Sequence, residues 1–142
     1  MIILDCETYA NYFLLSMLDT NSGKIRDFEL FDGQDFDSKT VSAILRKHTT
    51  LGFNSSNYDM PVIVAALRGD TNAQIKQLSD DIINCEQVWP VLKKHKITML
   101  QAFDHIDIMP IPIGQASLKI YGGRLHAPKM QELPIEPSAL IT

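Results

Sequence analysis

The sequence of 142 residues has few cysteines, no long apolar run and no excess of basic residues. Its two cysteines, Cys6 and Cys85, have neither the CxxC spacing nor that of a zinc finger, so neither a disulfide framework nor a zinc site is predicted. No apolar stretch reaches the roughly 18 to 20 residues of a membrane helix, and the first residues contain no basic signal-like region. We therefore expect a cytoplasmic chain without membrane contact.

The charge balance is slightly acidic, with 13 Lys and Arg against 17 Asp and Glu and a net charge of -4. A protein that binds nucleic acid mainly through a basic surface would have the opposite balance. An enzyme whose bound divalent cations supply the positive charge is still compatible with this composition. The hydrophobic share of 45% and the charged share of 21% are typical of a globular chain. The length fits one domain over residues 1–142.

The hydrophobic pattern predicts an α/β fold with a mixed sheet. Ile2–Cys6 is apolar on both faces, which is typical of a central strand. Tyr12–Leu18 and Ile25–Phe31 flank a turn at Asp19–Lys24, so the first three strands should form an antiparallel meander. Two further short strands are expected at Thr49–Phe53 and His105–Met109.

Helices are predicted between and after these strands. Ser38 is expected to cap the first helix, and three longer patterns follow at Tyr58–Leu67, Asn72–Cys85 and Gln87–His95. Trp89 lies in an apolar segment and is expected in the core. A single helical turn at Ser117–Tyr121 should end at Gly122-Gly123, and the prolines from Pro112 onward should leave the tail extended. The order of elements indicates a sheet flanked by helices.

Two acids at the end of the first strand are the first candidate site. Strand periodicity places Asp5 and Glu7 on one face, while Cys6, which we expect to be buried, points to the other. Such a pair is costly unless a cation lies between the two carboxylates, which makes it a half-site for Mg²⁺ or Mn²⁺. The alternative is a surface pair, because this composition gives ~0.4 Asp-x-Glu matches by chance.

A second polar cluster, Asn54-Ser55-Ser56-Asn57-Tyr58-Asp59, follows the fourth strand. Asn54 could hydrogen-bond a phosphate or base, Tyr58 could stack on a base, and Asp59 could help to hold a metal. The alternative for Asp59 is a favourable charge at a helix N-terminus, worth under about 1 kcal/mol.

The two clusters together resemble the first two motifs of the DEDD, or DnaQ-like, 3′-5′ exonucleases of the ribonuclease H-like fold. Asp5-x-Glu7 matches the first motif and Asn54-x3-Tyr58-Asp59 the second. The segment Ala116–His126, with Leu133-Pro134 after it, looks like the exonuclease portion of phage DNA polymerases. The resemblance covers nearly the whole chain.

The resemblance implies a two-metal phosphodiesterase with Mg²⁺ or Mn²⁺ as cofactor. Asp5 would bind both cations, Glu7 the cation that activates water, and Asp59 would support the second, directly or through water. Thr8, Asn54 and Tyr58 would bind the terminal nucleotides. The implied partners are the 3′ end of single-stranded DNA and the polymerase domain of the same parent chain, in the cytoplasm of a bacterial host if the chain is phage-encoded. A ribonuclease of the same superfamily would carry the same motifs.

The third motif of this family, Tyr-x3-Asp or His-x4-Asp, does not occur in the sequence. We therefore expect a truncated domain or natural fragment that lacks its last helix, with one sheet face partly uncovered. Its metal site should be incomplete, with weak cation binding and low or no nuclease activity. The alternative function is a non-catalytic module that keeps the fold and binds nucleic acid or protein.

Three further features have an ordinary structural explanation as well as a functional one. Asp107, which ends the fifth strand, could replace a metal ligand but more often has a structural role, and His105 on the same face is expected to be packed or exposed. Four basic residues near Tyr121 could meet a nucleic-acid backbone or form a solvated tail; they are Lys119, Arg124, His126 and Lys129.

Overall fold

The computed structural model describes residues 1–31, 33–98, 102–111, 116–127, 135–136 and 138–142. Five strands are present: β1 (Ile2–Thr8), β2 (Tyr12–Asp19), β3 (Ile25–Phe31), β4 (Thr50–Gly52) and β5 (His105–Asp107). The described helices are α1 (Ser38–Lys47), α2 (Asp59–Arg68), α3 (Asn72–Asn84), α4 (Val88–Lys94) and α5 (Leu118–Arg124). None of these helices is both long and apolar enough to cross a bilayer.

The strands form one sheet in the order β3-β2-β1-β4-β5. The first three strands pair antiparallel as a meander, and β4 and β5 add in parallel to β1. This mixed sheet flanked by helices confirms the predicted fold class and is consistent with a ribonuclease H-like arrangement. The central position predicted for β1 is also correct.

One face of the sheet, which we call the covered face, holds the hydrophobic core. Its fully buried side chains include Phe13 and Leu15 of β2, and Leu4 and Cys6 of β1 are buried beside them. Helices α2 and α3 contact β1, and α1 packs against α2 through its buried Val41 and Leu45. The prediction that Cys6 is buried is confirmed.

The other face, which we call the open face, has a row of apolar side chains that crosses all five strands. In register, Ile25 lies opposite Leu18, Leu18 opposite Ile3, Ile3 opposite Leu51 and Leu51 opposite Ile106. Ile25 is 68% exposed, and Ile3 and Ile106 are exposed as well. Strand β1 is therefore central, as predicted, but it is buried on one face only, because Ile3 and Asp5 meet solvent.

Helix α1 is capped one residue earlier than predicted. The Thr40 amide donates to Asp37 Oδ1 at 3.0 Å, so Asp37 is the N-cap and Ser38 is the first helical residue. A carboxylate at this position satisfies one of the free amides of the first turn as well as a serine would.

Two predictions about the later helices were wrong. Trp89 is 73% exposed, because the spacing of Val88 and Leu92 turns those two residues inward and leaves Trp89 on the outer side of α4. Helix α5 runs through Gly122 and Gly123 instead of ending there, since glycine in a helix costs only about 1 kcal/mol and does not prevent the helical conformation.

Several predictions for the tail lie outside the described residues. These are the extended segments at Pro112, Pro128, Pro134 and Pro137, the basic Lys129 and the pair Leu133-Pro134. The described end of the chain contacts the β1–β2 turn. Asn11 Nδ2 donates to the carbonyl of Ile141, and the amide of Ile141 donates to Asn11 Oδ1, each at 2.8 Å.

Candidate active site

Asp5 and Glu7 lie on the open face of β1, at the middle of the sheet. Their partners across β2 are Ser16 and Leu14. On the other side, β4 pairs with β1 only at Ile2 and Ile3, so the second half of β1 has no β4 partner. The two acids therefore stand beside a gap in the sheet.

Asp59, which belongs to the second polar cluster, lies in this gap. It is the first residue of α2 and only 4% exposed, and its Oδ1 accepts a hydrogen bond from the Cys6 amide at 2.8 Å. Cys6 is the residue between Asp5 and Glu7, although Asp59 lies 53 positions further along the chain. The contact thus brings the acid of the second predicted motif to the backbone of the first.

The charges of these acids affect one another. Burial, and then the negative charge of Asp5, raise the pKa of Asp59 to about 7, against the lowering effect of the Cys6 amide. Partial desolvation by the surrounding protein, and then the charge of Glu7, raise the pKa of Asp5. Asp5 is therefore the common neighbour of two other carboxylates, and a bound cation would relieve the repulsion among them.

The donor chemistry of this site fits a hard divalent cation. All three candidate ligands are carboxylates, which suit Mg²⁺ or Mn²⁺. Within the described ranges, however, no three or more His, Cys, Asp or Glu side chains come together closely enough to enclose an ion. Asp5 and Glu7 are thus the residues that would hold a cation, with Asp59 tied back by its bond to the Cys6 amide.

Thr8 and Tyr58, both predicted to bind substrate, meet beside the acids. The Tyr58 hydroxyl lies 2.8 Å from Ser79 Oγ and donates to Thr8 Oγ1 at 3.3 Å. These side chains line a cavity of about 240 Å³ together with Cys6, Glu7, Tyr9, Lys76 and Ile83. Glu7 is thus one of the walls of this cavity, whose volume could hold part of a nucleotide.

Asn54, the third predicted substrate residue, is not among the residues that line this cavity. It has a left-handed backbone (φ 55°), its carbonyl accepts from the Tyr58 amide at 3.2 Å, and its Oδ1 accepts from Asn57 Nδ2 at 3.3 Å. Asn54 therefore shapes the loop that leads into α2. Gly52, just before this loop, is required because a Cβ there would lie 2.5 Å from Ser55 Cβ.

His105 and Asp107 support the same loop from β5. The His105 ring lies between two hydroxyls, with Nδ1 2.8 Å from Thr50 Oγ1 and Nε2 2.7 Å from the fully buried Ser55 Oγ. Asp107 accepts from the amides of Ser56 at 2.9 Å and Met109 at 3.0 Å, so both of its oxygens bond to the backbone. These contacts favour the structural role of both residues over a role as metal ligands.

Among the basic residues near the tail, Arg124 lies over the ring of Tyr121 with 5.9 Å to its centroid. The Tyr121 ring in turn contacts Phe53. Lys119 and Arg124 lie on α5, and His126 follows it with an exposed side chain. These contacts place the basic segment beside the loop that follows β4.

Sequence reasoning missed two residues of the site, Tyr9 and Ser79. The Tyr9 hydroxyl donates to Glu7 Oε2 at 2.8 Å, and its side chain is 4% exposed. A signal was available, because the strand period that pairs residue 5 with residue 7 continues to residue 9. Ser79 had a weaker signal, since it follows Leu78 on the buried side of α3.

Comparisons of the chain with protein-family models, with curated proteins and with solved structures give no match. The contacts of Asp5, Glu7 and Asp59 therefore carry the functional argument, together with the cavity beside them.

Proposed function

We propose that the chain is a metal-dependent 3′-5′ exonuclease domain of the DEDD type, related to that of phage DNA polymerases. The observation that carries this proposal is the hydrogen bond between the Cys6 amide and Asp59 Oδ1. It joins two acidic motifs that are distant in sequence, and their convergence beside the gap between β1 and β4 is what a shared cation site requires. If Asp5 and Glu7 were only a surface pair, and Asp59 only a favourable charge at a helix N-terminus, the two motifs would not need to be in contact.

In this proposal each residue has a defined role. Divalent cations, when bound, would stabilise the entering and departing oxygens of phosphodiester hydrolysis. Asp5 and Glu7 hold the cations, and Asp59 supports them directly or through water. Thr8 and Tyr58 bind the terminal nucleotide in the adjoining cavity, where their hydroxyls offer hydrogen bonds.

The substrate that fits this proposal is the 3′ end of single-stranded DNA, in the bacterial cytoplasm where a phage enzyme would work. A polymerase domain of the same parent chain would be its natural partner. We expect weak cation binding and slow turnover from this chain alone, because the sequence contains no Tyr-x3-Asp or His-x4-Asp to supply the third acidic motif.

The decisive experiment measures release of mononucleotides from a 3′-labelled single-stranded DNA in Mn²⁺, with an RNA of the same sequence as a parallel substrate. We expect slow release that disappears in Asp5→Asn and persists in Asp27→Asn. Asp27 is a matched control, since it is an exposed acid on the open face that accepts a hydrogen bond from Ser16. Release at the same rate in Asp5→Asn as in the wild type would contradict the proposal. Robust release that Asp5→Asn abolishes would show that the missing third motif is not needed.

A second candidate function is a non-catalytic module that binds another protein through the open face. The apolar row from Ile25 to Ile106 favours it, because contiguous exposed apolar surface often marks an interaction site. Crystals soaked in Mn²⁺ separate the two candidates. Two cations about 4 Å apart beside Asp5 indicate the nuclease, and their absence at saturating Mn²⁺ indicates the binding module.

A further inference from the structure

Tyr9 is the one tyrosine whose hydroxyl bonds to a candidate cation ligand in the described part of the chain. Its hydroxyl donates to Glu7 Oε2 at 2.8 Å. Its side chain is 4% exposed, and its amide donates to the carbonyl of Tyr12 at 2.8 Å. Both the ring and the backbone of Tyr9 are thus fixed before any ligand binds.

A glutamate side chain is flexible, and its three torsions must be restricted before it can hold a cation. The bond from Tyr9 restricts them and occupies only one of the two carboxylate oxygens, so that the other remains available. Partners of this kind, which orient a ligand without touching the ion, strongly affect metal affinity in other proteins.

We propose that Tyr9 is a positioning residue that orients Glu7 for cation binding beside Asp5. This inference rests on the proposed function, because it assumes that Glu7 is a ligand. Tyr9 itself would touch neither the cation nor the substrate phosphate in this role; it acts through Glu7.

The chain contains a matched control three residues further on. The Tyr12 hydroxyl donates to Glu29 on the same face of the sheet, and the Tyr9 and Tyr12 rings are 6.3 Å apart. Glu29 belongs to β3 and is not one of the candidate ligands. Tyr9→Phe and Tyr12→Phe therefore remove the same group from similar Tyr-Glu pairs, and only the first pair includes the site.

The test measures Mn²⁺ affinity of the full chain by calorimetry and by the electron paramagnetic resonance of free Mn²⁺. We expect Tyr9→Phe to weaken binding by about 10-fold or more, and Tyr12→Phe to change it by less than about twofold. Thermal melting of both variants checks that each is folded. Tyr9→Phe should add no further loss in a Glu7→Gln background, since the tyrosine acts through that carboxylate.

Equal affinity of Tyr9→Phe and wild type would overturn the inference while the proposed function stands. An equal loss of Mn²⁺ affinity in Tyr9→Phe and Tyr12→Phe would also overturn it, because removing any tyrosine hydroxyl from this face of the sheet would then have the same effect. If the wild type binds no Mn²⁺, the proposed function fails and the inference fails with it. Crystal structures of the two variants give a metal-free readout: Glu7 should lose its single orientation only in Tyr9→Phe.

Discussion

The two faces of the sheet are formed by the same five strands, yet they carry different chemistry. The covered face buries Phe13 and Leu15 completely beneath helices, whereas the open face leaves Ile25 and Ile3 in solvent together with Asp5. Burial of apolar area provides most of the folding free energy, so stability should come mainly from the covered face. The candidate site lies where the two faces meet, because Asp59 begins a covering helix while Asp5 and Glu7 point to the open side.

This contrast explains how charged groups are tolerated in the middle of a sheet. The open face lets water reach Asp5 and Glu7, so only Asp59 has to bear nearly complete burial. Its hydrogen bond to the Cys6 amide compensates part of that cost.

The largest effect on stability is expected from a comparison of two leucines on β2. Leu15→Ala on the covered face should lower the free energy of unfolding by roughly 2–5 kcal/mol, because it leaves a cavity in a closed core. Leu18→Ala on the open face should cost about 1 kcal/mol or less, since that side chain is already partly hydrated. Urea denaturation measures both, and equal losses would mean that the open face is covered in solution.

The next effect concerns pH and Asp59. Its pKa of about 7 lies above the ordinary value of 3.8, so the folded state binds the extra proton and stability falls as pH rises from about 4 through 7. We expect a loss on the order of 2 kcal/mol over this window in metal-free buffer. Asp59→Asn keeps an acceptor for the Cys6 amide. It should therefore remove this dependence of the free energy of unfolding on pH and be more stable than wild type at pH 7.5.

The control for this prediction is Asp37→Asn. Hydrogen bonds from Thr40 lower the pKa of the exposed Asp37, so its contribution to stability is lost as pH falls and has the opposite sign. If wild type and Asp59→Asn show the same dependence between pH 4 and 7, Asp59 is not buried as described.

A smaller loss is expected where the covered face meets the loop before α2. Gly52→Ala places a methyl group 2.5 Å from Ser55 Cβ and Oγ, and the shift that relieves this clash disturbs the bond to His105. We expect about 1–3 kcal/mol of destabilisation by denaturation. Gly23→Ala meets no neighbour within 4 Å and should show only the roughly 1 kcal/mol strain of its positive φ.

The smallest effect on stability is expected for a residue that lies on neither face of the sheet. Trp89 on α4 is mostly exposed, so Trp89→Ser should change the free energy of unfolding by less than about 0.5 kcal/mol. Its fluorescence should resemble that of tryptophan in water. A large loss of stability would show that this side chain is buried in solution.

The sequence was sufficient for most of the fold, because strand alternation and helical spacing are local patterns. The meander from Ile2 to Phe31 and the helix of Asn72–Asn84 follow directly from them. The exposure of Trp89 and Ile3 did not follow from the sequence, since a local pattern does not tell which apolar side chains the rest of the chain covers.

For the site, the spacing of Asp5 and Glu7 correctly placed both on one face. Nothing in the sequence indicated that Asp59 would bond to the Cys6 amide, because that contact depends on where β4 stops pairing with β1. Tyr9 was overlooked although the strand period continues to residue 9, because its role depends on a hydrogen bond to Glu7 that no sequence pattern specifies.

The bond between Cys6 and Asp59 also has a kinetic consequence. Closing a loop of this length costs conformational entropy before the contact is gained. The first strand and the second helix must therefore have docked before Asp59 can reach the backbone between Asp5 and Glu7. The contribution of Asp59 to the site should consequently appear late in refolding, after helix formation, and would mark completion of the native state.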